Sequence, residues 1–138
     1  MKNQTFKLDS CSEELKPLRE NLRPLITKAG FGEKDVESLL IAIGEAVTNA
    51  IRHSYQCEPG REIQVTFEET PEKIVFRVRD FGQKIKVCDV KEPTLPPVKG
   101  GGLGIYFMKT IMDELEYNTA HAQGNELIMA KYKPGKKP

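Results

Sequence analysis

Three groups of residues in this chain have the types and spacing to do chemistry. Glu45, Asn49 and His53 recur at four-residue steps within LLIAIGEAVTNAIRHSY, residues 39–55. On a helix such residues stack along one flank, so a carboxylate, an amide and an imidazole would share an edge. Ala42, Ala46 and Thr48 around them are small and leave room for something to approach. Asp80 and Gly82 form an Asp-x-Gly at the end of an alternating run, where a carboxylate can accept a hydrogen bond from an amino group. Gly100, Gly101, Gly102, Leu103 and Gly104 lead straight into an amphipathic stretch. The unpaired N–H groups and dipole of a helix start favour an anion, and glycine lets the backbone approach closely. Each group also has a plain structural reading: the polar rim of a core helix, a strand-ending turn, a flexible hinge.

Two familiar motifs are excluded. The glycine run lacks the Gly-Lys-Ser/Thr of a Walker A loop, and it does not follow a strand as a dinucleotide fingerprint must. Asp80-Phe81-Gly82 invites comparison with eukaryotic protein kinases, but the HRD loop and the β3 lysine motif are missing and the chain is too short for two lobes.

The elements that must position these groups follow from periodicity. Val36, Leu39, Leu40, Ile43, Val47, Ala50 and Ile51 recur at three- and four-residue steps and predict a helix over residues 33–55. Ahead of it, residues 4–8 alternate as an edge strand, and Asp9 or Ser10 could cap a helix over residues 12–28. Leu15, Leu18, Leu22 and Leu25 form that helix's stripe, with Lys16, Arg19, Glu20 and Arg23 facing out, and Pro24 predicts a kink or break. Residues 61–68 and 73–80 alternate and predict a hairpin turned by Glu69-Thr70-Pro71-Glu72. Residues 83–99 hold Pro93, Pro96 and Pro97 and read as a lid. A helix to about Asp113 follows, then a second hairpin, 115–121 and 125–132, turned at Gln123-Gly124. This order predicts an α+β, two-layer sandwich with helices on one face of a mixed, mainly antiparallel sheet.

Composition narrows the class. The chain has 138 residues, 38% hydrophobic and 30% charged, with a formal charge of +1. That fits one soluble domain over residues 1–133 and a basic flexible tail over 134–138. The charge balance argues against a nucleic-acid partner. There is no apolar run long enough for a membrane span and no signal-peptide core at the start, so a cytoplasmic protein is expected. Cys11, Cys57 and Cys88 are far apart without a CxxC pair, which argues against a disulfide framework or a zinc site.

Taken together, Glu-Ala-x-x-Asn-Ala on a helix, Asp-x-Gly after a hairpin, a proline-bearing lid and Gly-Gly-x-Leu-Gly opening a helix form a pattern. It resembles the N, G1 and G2 boxes of the GHKL, or histidine-kinase-like, ATPase superfamily. Within it the chain looks like the small anti-sigma-factor serine/threonine protein kinases of bacteria, the RsbW and SpoIIAB type. EAVTNAIRH, GGLGIYFMKTIMDELEY and GNELIMAKYK carry the likeness, which covers roughly residues 6–133.

The resemblance implies a Bergerat ATP-binding fold with ATP or ADP and Mg²⁺ as cofactors. Glu45 would be the general base that takes the proton from a partner's serine, and Asn49 the Mg²⁺ ligand. Asp80 would accept the adenine amine, with Gly82 letting the base pack close. Lys99, Gly100, Gly101, Gly102, Leu103 and Gly104 would hold the phosphates, while Arg52 lies near phosphate or lid and His53 is structural. The implied partners are a STAS-domain antagonist, a sigma factor and a second copy of the chain. The sequence departs from the pattern at Gln83 and Lys84, where a further glycine or a proline is common. It departs again at Asn125 and Glu126, where a threonine often stands near the base. Two other readings stay open: a GHKL module that binds nucleotide and switches partners without phosphotransfer, and the catalytic domain of a histidine kinase. The second is disfavoured because no phosphoacceptor-histidine helix precedes EAVTNA.

Overall fold

The computed structural model describes residues 3–84 and 103–136. Five strands form one sheet in the order β1-β2-β3-β5-β4. They are β1 (Asn3–Asp9), β2 (Glu62–Glu69), β3 (Lys73–Asp80), β4 (Glu114–Asn118) and β5 (Asn125–Tyr132). Every ladder between them is antiparallel. Three helices, α1 (Leu15–Lys28), α2 (Glu33–Asn49) and α3 (Leu103–Ile111), share one core with the sheet. The expected α+β architecture with helices on one face is therefore present, and β1 is the edge strand that its weak alternation suggested.

Strand period two decides what faces the helices. Ile63, Val65 and Phe67 of β2, Ile74, Phe76 and Val78 of β3, and Leu127 and Met129 of β5 are all buried. Phe67 and Phe76 are cross-strand partners with ring centroids 5.6 Å apart in a tilted arrangement. Above them α2 buries Val36, Leu39, Leu40, Ile43 and Val47, the stripe that its sequence spells out. Each fully buried side chain of this size contributes about 1.5–3 kcal/mol. The central helix is thereby fixed in rotation as well as position.

Several details differ from expectation. α1 runs through Pro24 to Lys28 without a break. Leu18 and Leu22 before the proline, and Leu25 and Ile26 after it, are all buried, so packing on both sides holds the helix across the missing hydrogen bond. Asp9 and Ser10 do not cap α1. Ser10 Oγ donates to Glu58 O at 2.7 Å and accepts from Arg61 N at 3.0 Å, so both residues fasten the loop before β2. Arg19 is half-buried rather than outward. Its guanidinium lies 3.7 Å from where a Cβ on Gly44 would stand.

The first hairpin turns where its sequence places it. Thr70 Oγ1 accepts from the N–H groups of Glu72 and Lys73. In the second, β4 stops at Asn118, earlier than expected, because Asn118 Oδ1 accepts from Ala120 N and turns the chain.

Because Pro24 is exposed, its ring adds little packing while its missing N–H weakens the helix. Pro24→Ala is expected to stabilise the fold by about 1–2 kcal/mol in urea titrations. A destabilised variant would show that α1 is built around the proline.

Candidate functional site

α2 carries two polar groups on a half-buried flank. Glu45 and Asn49 lie one turn apart beside the buried stripe, each partly accessible. α3 packs against α2 and brings its first turn over Glu45. A Cβ added to Gly104 would stand 3.1 Å from Glu45 Oε2. The carboxylate thus sits against the N-terminal end of α3, where free N–H groups and the dipole favour negative charge. Leu103 opens this helix. Lys99, Gly100, Gly101 and Gly102 lie outside the described residues, as does the expected lid beyond Lys84.

After Asn49 the helix widens into one π-helical turn, Ala50–Ser54. Tyr55 N bonds Ala50 O at 3.0 Å, the five-residue step of such a turn. Ser54 takes the next position on the buried stripe after Ala50 and is 3% exposed. Gln56 and Cys57 then adopt φ of 51° and 65°, which ends the helix without a glycine. Arg52 and His53 are exposed.

Below this turn lies a buried, hydrogen-bonded carboxylate. Asp80 continues the inward phase of Ile74, Phe76 and Val78, so β3 delivers a carboxylate to the helix-facing side, 3% exposed. A buried carboxylate is costly unless it is hydrogen-bonded. Ser54 Oγ donates to Oδ2 at 2.9 Å, Gly82 N to Oδ1 at 3.0 Å and Asn125 Nδ2 to Oδ1 at 3.1 Å. Asn125 is the cross-strand partner of Asp80 on β5, which explains its arrival there. Tyr117 reaches the same region from β4. Burial and the nearby Asp80 carboxylate push its phenol up to about 12. Burial also raises the phenol of Tyr55, whose hydroxyl accepts from Phe81 N at 2.7 Å.

Gly82 is required here by space alone. A Cβ would stand 2.3 Å from Ser54 O and 2.7 Å from the Tyr55 ring. Gly124, at φ 76°, meets the same limit from the other side, its Cβ position being 2.0 Å from Asp80 O. Arg79 seals that junction by donating to Asp80 O, to Asn125 O at 3.3 Å and to Gln123 O at 3.0 Å. A cavity of about 250 Å³ opens beside Gly82, lined in part by Ser54, Tyr55, Arg61, Gln83 and Gln123.

The structure thus brings Asp80 together with Gly82, and Glu45 together with Gly104. It adds Ser54, Asn125 and Tyr117, to which sequence reasoning gave no role. Their signal was available. Ser54 follows the α2 stripe at i+4 from Ala50, and Asn125 is in phase with Leu127 and Met129.

A one-faced antiparallel sheet covered by three helices is the α+β layout that the resemblance to a histidine-kinase-like ATPase domain implies. The sequence model for the family described as "Histidine kinase-like ATPase domain" matches residues 9–131. Three curated relatives, each named "Serine-protein kinase RsbW", are similar along the chain. The one from Bacillus licheniformis is 33% identical over 71% of this chain and 66% of its own length. Those from Listeria monocytogenes and Bacillus velezensis are each 31% identical, over 93% and 96% of this chain and 85% and 86% of their own. The chain belongs to the histidine kinase-like ATPase family, in its RsbW-type anti-sigma-factor kinase branch.

The two glycines should respond differently to alanine. Gly82→Ala meets backbone on one side and is expected to cost about 2–3 kcal/mol. Gly104→Ala meets only the tip of the Glu45 side chain, which can swing away, and should cost less than about 0.5 kcal/mol. Urea midpoints of the two variants check this, and equal losses would refute the assigned contacts.

Proposed function

We propose that the chain is an ATP-dependent serine/threonine protein kinase that acts as an anti-sigma factor and phosphorylates a serine on a STAS-domain antagonist. The observation that carries this reading is the Glu45 carboxylate at the first turn of α3, one helical turn from the Asn49 amide. A pure nucleotide binder needs no base at that place. The relatives' name, serine-protein kinase, supports the same reaction class.

The residues fit the cofactors. Among the described residues no group of three or more His, Cys, Asp or Glu could hold a metal ion alone. A hard cation held by one amide oxygen, with phosphate and water as its other ligands, suits Mg²⁺. When bound, Mg·ATP supplies the phosphoryl group and the charge that neutralises it. Asn49 would hold the metal through its side-chain oxygen. Glu45 would accept the hydroxyl proton of the partner's serine as that oxygen takes the phosphoryl group, with ADP as the leaving group. Asp80 accepts the base amine, and Gly82 keeps the wall of the base site thin. The N–H groups of Leu103 and Gly104 would hold the phosphates, together with Lys99, Gly100, Gly101 and Gly102, which lie outside the described residues.

The partners in this reading are the STAS-domain antagonist, a sigma factor and a second copy of the chain, met in the cytoplasm. Among the described residues no helix is long and apolar enough to cross a membrane, which is compatible with that setting.

Phosphotransfer from labelled ATP with Mg²⁺ to candidate STAS proteins tests the proposal. Glu45→Ala should lower transfer by about 10²–10⁴-fold while leaving ATP binding in place. ATP binding without transfer to any candidate would instead favour the nucleotide-binding switch.

A further inference from the structure

The cavity of about 250 Å³ beside Gly82 is lined by none of Glu45, Asn49, Asp80 or Gly104. It is a different place from the acid-amide pair and from the buried carboxylate. Its walls are polar: Gln56, Gln83 and Gln123 line it together with Tyr55, Glu58 and Arg61.

Arg61 is the cation of this lining, and it is held still. Its guanidinium carbon lies 4.5 Å from the centroid of the Tyr55 ring, a stacking that the ring's electrons favour. The ring is itself fixed. Tyr55 is 3% exposed, and its hydroxyl donates to Glu62 O and accepts from Phe81 N at 2.7 Å. Arg61 Nη2 donates to Phe81 O at 3.3 Å. A guanidinium presents five N–H groups in a planar fork that matches a carboxylate. A fork ordered before its ligand arrives binds at a lower entropic cost.

Glu58 shows what the fork takes. Its Oε1 accepts from Arg61 Nη1 at 3.0 Å, yet its side chain is 60% exposed and is followed by Pro59 and by Gly60 at φ 81°. An exposed ion pair of this kind is weak. Glu58 is an internal occupant that an outside carboxylate can displace. The glutamines indicate the rest of the ligand. Gln56 Nε2 donates to Gln83 Oε1 at 2.7 Å and Gln123 Nε2 to Phe81 O at 3.0 Å. Each bond uses one amide proton and leaves another, so donors and amide oxygens alternate around the space. Such a lining suits hydroxyl groups, which both donate and accept. One cation suits one carboxylate, whereas a phosphate dianion calls for more.

We propose that this cavity binds a small hydroxycarboxylic acid, with its carboxylate on Arg61 in place of Glu58 and its hydroxyls among Gln56, Gln83 and Gln123. The bound acid braces the turn at Gly82, because Arg61 and Gln123 both hold Phe81 O and Gln83 N bonds Ser54 O at 2.8 Å. The site stands on its own geometry and does not depend on the nucleotide reading.

NMR titration of the ligand-free protein with sodium gluconate, at constant ionic strength, tests this. The side-chain resonances of Arg61, Gln56, Gln83 and Gln123 should shift together, and amide exchange at Gly82 and Gln83 should slow. Glu58→Gln removes the internal occupant and should tighten binding about two- to fivefold. Arg61→Gln should weaken it about tenfold or more. Sorbitol, without the carboxylate, and acetate, without the hydroxyls, should both bind more weakly than gluconate. Opposite effects of the two variants are not expected from a merely structural ion pair. Glu58→Gln binding no tighter, Arg61→Gln binding as well as the unaltered chain, or sorbitol matching gluconate overturns the proposal. So does an acetylated glutamate amide that binds as well as gluconate, since the site would then take an acidic side chain of a protein.

Discussion

A carboxylate taken out of water destabilises a fold by several kcal/mol unless donors replace the lost solvent. Asp80 is such a group, and much of the surrounding structure can be understood as supplying its donors. β3 keeps the inward phase of Ile74, Phe76 and Val78 to its last residue, so the carboxylate faces inward. β5 places Asn125 opposite in register. The chain after β3 folds back so that Gly82 N returns to Oδ1, and this needs a residue without a side chain against Ser54. Removing any one partner would leave a buried charge short of a donor, which costs more than the bond itself gains.

α2 joins that carboxylate to the chemistry of Glu45 and Asn49. Its apolar stripe carries no reactive group, yet it fixes the helix against the sheet and so fixes the flank. The π-helical turn widens the last step, and Ser54 enters the core as a donor. The helix thus contributes to two places at once: the buried Asp80 cluster at its end, and the acid-amide pair in its middle where α3 begins. Packing between α2 and α3 sets the spacing of Glu45 from the helix start, through a glycine small enough to admit the carboxylate.

Much of this was legible in the sequence. The four-residue spacing of Glu45 and Asn49, the alternation ending at Asp80 and both hairpins depend on local periodicity, which a chain displays directly. The unbroken helix through Pro24 was not legible, because burial of Leu25 and Ile26 beyond it is a tertiary effect. Nor were the roles of Ser54 and Asn125. Each lies in phase with apolar neighbours, but a polar residue in phase gains its meaning only from what stands across from it, and register is not visible until strands are paired. Gly82 and Gly124 are similar: the sequence shows glycine, and only the fold shows the backbone atoms that forbid a side chain. Asn125, a departure from a threonine pattern in the sequence, is a donor to the buried Asp80 carboxylate.

The central claim is that the buried carboxylate reads a single amino group on a purine. Calorimetric titration of the unaltered chain with ATP and with purine riboside triphosphate, which lacks only that amino group, tests it most directly. The account predicts binding of the amino-free nucleotide weaker by about ten- to a hundredfold, the loss of one hydrogen bond to a charged group. Equal affinities would contradict it.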